Sequence, residues 1–167
     1  MNRVSYGKQE LLDAFKKIGE QIPVPITVFL FGGGAMVFRN QKTATKDLDL
    51  VFETYKEYTQ FTGTLEKMGF IQAKSFEKEY EKMHASSIWQ NKQGFRLDLF
   101  VKTICNALDL TPTVARRAET FMTFNNLSIK MFSNEDVVLF KGITERPPDA
   151  DDVSAIIKAS NINWNLV

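Results

Sequence analysis

The chain predicts a mixed α/β fold of the α+β kind: a mixed β-sheet flanked by helices, with a helical C-terminal end. Two observations carry that expectation. Short apolar runs with strand character alternate with segments whose apolar residues recur every three or four positions, and the last third is dominated by helix starts. A third observation marks the functional end of the sheet. The apolar run Ile26–Phe31 stops at Gly32-Gly33-Gly34, where backbone can approach a ligand closely because glycine has no Cβ.

With 167 residues the chain is long enough for one buried core and short for two, so a single domain over 1–167 is expected, with a core at about 26–104 and a helix-rich part at about 105–167. Lys and Arg number 21 against 20 Asp and Glu, so bulk charge does not announce a nucleic-acid binder, although a local basic groove is compatible with it. The single cysteine, Cys105, has no internal disulfide partner and reads as a small residue at a strand edge or in the core of a protein from a reducing compartment. Met1-Asn2-Arg3-Val4-Ser5 has no apolar signal core and no apolar run reaches membrane-spanning length, so a soluble, cytoplasmic protein is expected.

In chain order, Lys8 to Ile22 places Leu11, Leu12, Phe15 and Ile18 at helical spacing, with Gly19 to Pro23 ending the helix. Pro23 and Pro25 stiffen the entry to the strand Ile26–Phe31. A short helix is expected from Ala35 to Phe38, its free N–H groups beside the glycine turn. The polar spacer Arg39 to Lys46 leads to the strand Asp47–Phe52. A second amphipathic helix spans Thr54 to Gly69, and Phe70 to Ala73 reads as a short strand. Ser75 to Met83 is a charged, solvated segment. Ala85 to Gln90 and Gly94 to Val101 flank the hairpin signal Asn91-Lys92-Gln93-Gly94. Thr111-Pro112 caps and opens a helix through Ala118, and Phe121–Phe124 and Leu127–Phe132 form strands around Asn125-Asn126. Ser133-Asn134-Glu135-Asp136 is a capping box ahead of a helix containing Lys141, and Asp149 begins another after Pro147-Pro148.

The candidate chemistry lies on two of these strands. Asp47 and Asp49 are two apart, so in an extended strand both carboxylates leave one face while Leu48, Leu50 and Phe52 leave the other. Adjacent like charges are costly, and a divalent cation removes the cost; hard oxygen donors suit Mg²⁺ or Mn²⁺. Asp98, between Leu97 and Leu99, repeats the pattern.

Gly33-Gly34, a spacer of polar residues, Asp47-x-Asp49 and a later strand aspartate together resemble the nucleotidyltransferase superfamily, with its minimal palm-type fold shared by DNA polymerase β, CCA-adding enzymes and antibiotic nucleotidyltransferases. Among its members the chain is most similar to the small single-domain prokaryotic group that includes toxins of toxin–antitoxin pairs. Glu135-Asp136-Val137-Val138-Leu139-Phe140-Lys141, Glu145-Arg146 and Asp149-x-x-Asp152 resemble that group's late lysine helix and Arg-x-x-Asp-x-x-Asp segment. The resemblance covers roughly Ile26 to Ile157. It implies a nucleoside triphosphate, ATP among the candidates, bound at Gly33 and Gly34, and two Mg²⁺ ions among Asp47, Asp49 and Asp98. It further implies attack of an acceptor hydroxyl on the α-phosphorus with pyrophosphate leaving, an acceptor on tRNA, other RNA or protein, and an antitoxin partner. Lys141 is the candidate for the β- or γ-phosphate, as a mobile point charge. Arg146, Asp149 and Asp152 are candidates for a supporting shell.

Each motif has a plainer reading. Gly32–Gly34 lacks both the final glycine of a dinucleotide loop and the Lys-Ser/Thr of a P-loop. Arg39 and Lys46 read as solvated charges, His84 as an exposed or locally bonded histidine, and Asp149 as a helix cap. Arg116 and Arg117, with Lys102 and Lys130, form either a solvated face or a basic rim for RNA. The rival functions are a catalytically silent nucleotide- or partner-binding module and a metal-dependent phosphohydrolase that uses water as acceptor.

Overall fold

The computed structural model describes residues 4–74, 85, 87–144 and 146–167; the charged segment Ser75–Met83 and His84 lie outside these residues. Helix α1 (Lys8–Gln21) leads to β1 (Ile26–Phe31), α2 (Gly32–Phe38), β2 (Asp47–Phe52) and α3 (Tyr55–Lys67). Strands β3 (Ile71–Gln72), β4 (Ser87–Gln90), β5 (Arg96–Val101), β6 (Thr103–Ile104) and β7 (Leu108–Asp109) follow. The C-terminal part holds α4 (Pro112–Arg117), β8 (Glu119–Phe124), β9 (Leu127–Met131), α5 (Asn134–Thr144), α6 (Asp149–Ala159) and a 3₁₀ turn, Trp164–Leu166.

One mixed sheet organises these elements, in the order β3-β4-β5-β2-β1-β9-β8, with the β6–β7 hairpin attached to β5. Strand β1 lies antiparallel to β2 and parallel to β9, and β2 lies parallel to β5. The late strands β8 and β9 therefore complete the same sheet as the early ones. Because paired residues share a face, Phe31, Asp49 and Asp98 lie on one side and Leu30, Leu50 and Leu99 on the other.

Helices cover both faces. On the leucine face, α3 sets Phe61 and Tyr58 against Phe52, and α2 lies over Leu30 and Leu48. On the aspartate face, α5 brings Phe140 to 4.7 Å from Phe31, which also contacts Phe100 and Phe132. These four rings are fully buried and seal one end of that face. Its other end stays open.

Most predicted elements appear within a residue or two of their expected bounds. Thr54 and Thr111 cap α3 and α4 by accepting the N–H groups of Glu57 and Val114, and Ser133 accepts the N–H of Asp136 at 3.2 Å. Asn91 closes the β4–β5 turn, its side chain accepting from Gln93 and Phe95. Two expectations are corrected. Gly19 does not end α1 but lies buried inside it, where any Cβ would strike the backbone and side chain of Phe124; the glycine serves close packing. Helix α2 starts at Gly32 rather than Ala35, so the glycines form its first turn. The β6–β7 hairpin was not anticipated, since its turn uses Cys105 and Asn106 at φ of 54° each and carries no glycine or proline signal.

Candidate active site

The parallel pairing of β2 and β5 sets Asp47 beside Arg96 and Asp49 beside Asp98. Registered neighbours point to the same side, so two adjacent strands present three carboxylates and one guanidinium on a single face. The open end of that face is a cleft of about 370 Å³. Gly33, Thr45, Asp47 and Asp49 form one wall, with Lys42 and Lys46 from the spacer; Lys141, Arg146, Asp149 and Asp152 form the other.

Gly32 has φ of 63°, and a Cβ there would collide with the Asp49 carboxylate. Glycine is required both for the left-handed backbone and for that approach. The spacer folds back onto the turn because Tyr6 and Thr45 exchange backbone hydrogen bonds of 2.8 and 3.0 Å, and the Thr45 hydroxyl donates to the Asp47 carbonyl. Gly33 therefore faces Thr45 and the cleft. Gly34 faces inward, where a Cβ would press on Leu48 and Leu30.

Asp49 is the most strained charge in the site. It is only 4% exposed, and its Oδ1 is buried without a hydrogen-bond partner. Burial, then the neighbouring Asp47 and Asp98 carboxylates, push its carboxyl well above the usual range, against the opposing pull of Arg146 and Lys141. A buried oxygen with no donor, beside a second carboxylate that lines the same cleft, is what a divalent cation would satisfy. Asp47 and Asp49 thus fit an ion as they stand. Asp98 is 1% exposed and turned to Arg96, whose Nε and Nη2 donate to its two oxygens at 2.6 and 3.1 Å. Among the described residues, no three His, Cys, Asp or Glu side chains are already converged on a metal position.

The opposite wall is a closed charge network. Lys141 is not the mobile surface charge expected of it: it is 4% exposed, with Nζ donating to Asp149 at 3.2 Å and to Asp152 at 2.7 Å. Apolar packing of Val137, Val138 and Phe140 draws α5 onto the sheet and carries the lysine inward. Asp149 also accepts the Thr144 hydroxyl at 2.5 Å and the Arg146 backbone N–H at 2.8 Å. It closes the turn between α5 and α6, while Pro148 occupies the N-cap position itself. Burial works against the Asp149 charge, but Thr144, Lys141 and Arg146 outweigh it and hold the carboxyl below its ordinary value. Burial likewise opposes the Arg146 charge, yet the Asp49, Asp149 and Asp47 carboxylates hold that guanidinium above its ordinary value. Across the cleft, Lys42 reaches Asp152 at 3.1 Å.

Several residues sort differently from their sequence readings. Lys46 is exposed and lines the cleft. Arg39 lies outside it, half-buried and paired with Glu119 at 3.3 Å. Arg117 forks onto the fully buried Asp136 and ties α4 to α5, leaving Arg116 as the exposed member of that pair. Cys105 sits within electrostatic reach of the aspartates; burial, then Asp49 and Asp98, push its thiol up to about 12, which keeps it protonated.

Sequence reasoning missed Lys42, Thr45 and Arg96. The first two belong to a spacer that must return from the glycine turn to Asp47, so its final residues had to revisit that turn. Arg96 stands two positions before Asp98, and the period-two rule that aligns Asp47 with Asp49 applies to it equally.

Comparison with known proteins agrees with this architecture. The lincosamide antibiotic adenylyltransferase LnuA, in its lincomycin-bound structure, is similar with a TM-score of 0.63 and 15% identity, covering 94% of this chain and 100% of that one. A putative nucleotidyltransferase from Thermotoga maritima gives 0.60 and 12%, covering 93% and 97%. The structure of ANT(2″)-Ia in complex with adenylyl-2″-tobramycin gives 0.57 and 14%, covering 90% and 88%. At these identities the likeness concerns the fold. No curated protein matches the sequence. Residues 9–167 match the family described as nucleotidyltransferase of unknown function, DUF6036, and with nearly the whole chain inside that match, the protein belongs to this nucleotidyltransferase family.

Proposed function

We propose that the protein transfers a nucleoside monophosphate from a nucleoside triphosphate such as ATP to a hydroxyl group. The acceptor oxygen bonds to the α-phosphorus, the bond to pyrophosphate breaks, and the hydroxyl proton passes to Asp98. The observation that carries this reading is the buried Asp49 carboxylate, whose Oδ1 has no partner while its Oδ2 lies against the glycine turn, flanked by Asp47 and Asp98.

Asp47, Asp49 and Asp98 would hold the ions, with Asp98 serving the acceptor hydroxyl. Mg²⁺ or Mn²⁺ bound there supplies the positive charge that lowers the hydroxyl's pKa and shields the leaving pyrophosphate. The chain cannot supply that charge alone, since the four cations lining the cleft (Lys42, Lys46, Lys141, Arg146) are matched by four carboxylates (Asp47, Asp49, Asp149, Asp152). Backbone N–H groups at Gly33 and Gly34 orient the phosphates. Lys141, fixed by Asp149 and Asp152, presents a positioned charge to the β- or γ-phosphate, and Lys42 reaches the same space from the spacer.

The acceptor docks over the open cleft. One reading is a hydroxyl on tRNA, other RNA or protein, as for the toxin of a toxin–antitoxin pair, with a small antitoxin as partner. A second is a small hydroxylated molecule, favoured by the fold likeness to proteins whose structures hold adenylyl-2″-tobramycin and lincomycin. Incubation with each labelled triphosphate and Mg²⁺, in the presence of total tRNA, cell extract or hydroxylated antibiotics, separates them by which acceptor takes label. Label transfer should vanish in Asp47→Asn and Asp49→Asn. Free monophosphate alone would instead identify a phosphohydrolase, and nucleotide binding without turnover a silent module.

A further inference from the structure

The chain brings a hydroxyl of its own to the mouth of the cleft. Ser5 lines it together with Gly33, Thr45, Asp47 and Asp49. The antiparallel bridge between Tyr6 and Thr45 puts it there: followed back from Tyr6, the chain runs alongside the direction that leads forward from Thr45 to Lys46 and Asp47. Tyr6 is a firm anchor. It exchanges backbone hydrogen bonds of 2.8 and 3.0 Å with Thr45, its hydroxyl donates to the Gln93 carbonyl at 3.1 Å, and its ring meets Phe95 edge-on at 4.9 Å. Adjacent Cα atoms are about 3.8 Å apart, so the residue next to such an anchor stays on that wall.

The other hydroxyls of this corner are committed. Thr45 is buried and donates to the Asp47 carbonyl, and Tyr6 donates to Gln93. Ser5 is exposed, and its side chain makes no hydrogen bond with another described residue.

We propose that Ser5 is a self-modification site: with a triphosphate seated in the cleft, its hydroxyl accepts the nucleoside monophosphate in cis. The proposal rests on the transfer reaction proposed above. The Ser5 Oγ bonds to the α-phosphorus, the bond from that phosphorus to the pyrophosphate oxygen breaks, and the Oγ proton passes to Asp98. A phosphodiester then joins serine and nucleoside. An acceptor from solution must surrender translational and rotational freedom to reach the α-phosphorus, whereas Ser5 has surrendered most of it on folding. Self-transfer therefore proceeds without an added acceptor. It is also self-limiting, because the attached nucleotide stays at the mouth where an outside acceptor would dock.

The test is incubation of the full chain with Mg²⁺ and each α-labelled nucleoside triphosphate, without any acceptor, read by intact mass and peptide mapping. The parent should gain a single nucleoside monophosphate, located on Ser5. Ser5→Ala should take none, and Ser5→Thr, which keeps a hydroxyl in place, should take it more slowly. Asp49→Asn should take none, because the cleft performs the transfer. The half-time should not change on dilution. A mixture of Ser5→Ala with Asp49→Asn should stay unlabelled, since the competent cleft and the intact serine then lie on different molecules.

Label on another residue, label on Ser5 in Asp49→Asn alone, a half-time that lengthens on dilution, or a labelled mixture would each overturn the proposal. If the parent labels an added acceptor but never Ser5, self-modification falls and the transfer reaction stands. If neither Ser5 nor any added acceptor takes label, the transfer reaction falls and the role of Ser5 falls with it.

Discussion

Two clusters of buried charge face each other across the cleft, and they are built on opposite plans. The corner between α5 and α6 contains Lys141, Arg146, Asp149 and Asp152, where Lys141 and Arg146 pair with the two carboxylates and the Arg146 backbone N–H donates to Asp149. The face of β2 and β5 sets Asp47, Asp49 and Asp98 side by side and leaves one oxygen of Asp49 with no donor. The first cluster is complete within the protein. The second leaves a buried oxygen unsatisfied, and it is there that the proposed chemistry is assigned.

Substitutions in the two clusters should therefore have opposite signatures. The largest expected effect is on activity: Asp49→Asn should reduce nucleotidyl transfer by on the order of 10³-fold, the scale of losing a positioned electrostatic group in a desolvated site. The same change should leave the metal-free protein as stable as the parent or more so, because it removes a charge disfavoured first by burial and then by the neighbouring Asp47 and Asp98 carboxylates. Steady-state kinetics and thermal melting of one preparation check both halves. A melting temperature that drops with activity would erase the contrast between the clusters.

Lys141→Met should do the reverse to stability. Removing the cation leaves Asp149 and Asp152 without their buried partner, with an expected cost of about 3–5 kcal/mol in urea unfolding. A loss below about 1 kcal/mol would show that the corner relaxes into solvent.

The pH dependence of the metal-free protein should separate the clusters next. Asp49 is raised in the folded state, so the stability it confers is present below its ordinary value and is lost as pH rises through the raised one. Asp149 is lowered, so its contribution is present above its ordinary value and is lost as pH falls through the lowered one. Melting temperatures across pH should show Asp49→Asn gaining on the parent as pH rises. The deficit of Asp149→Asn should shrink as pH falls. Parallel curves for both variants would contradict this assignment of signs.

The smallest effect belongs to neither cluster. Glu119→Gln removes the partner of Arg39 at a site where the glutamate side chain is 68% exposed, and should change stability by no more than about 0.5 kcal/mol. It sets the noise level for the other measurements.

The incomplete cluster was the more legible of the two in the sequence. Asp47-x-Asp49 and Asp98 announce themselves through strand periodicity, because alternation depends only on local geometry. The register that brings β5 beside β2 depends on packing far from either strand, and no local pattern encodes it. The complete cluster was harder to read. A lysine on a helix looks solvated until the apolar neighbours that bury it are docked, and the tie between Lys42 and Asp152 joins parts of the chain distant in sequence. Gly19 failed for the same reason, since its need for closeness comes from Phe124, on a strand formed late in the chain.

The parallel pairing of β1 with β9 has a bearing on how the protein comes into being. Ile26 meets Leu127, so roughly a hundred residues must be looped out before the central strand gains its second neighbour. While a ribosome is still delivering the C-terminal part, β1 has an unpaired edge and the face carrying Phe31 lacks Phe140. Nascent chains are thus exposed to aggregation until the final segments arrive, and no half-made molecule can possess the lysine wall of the cleft.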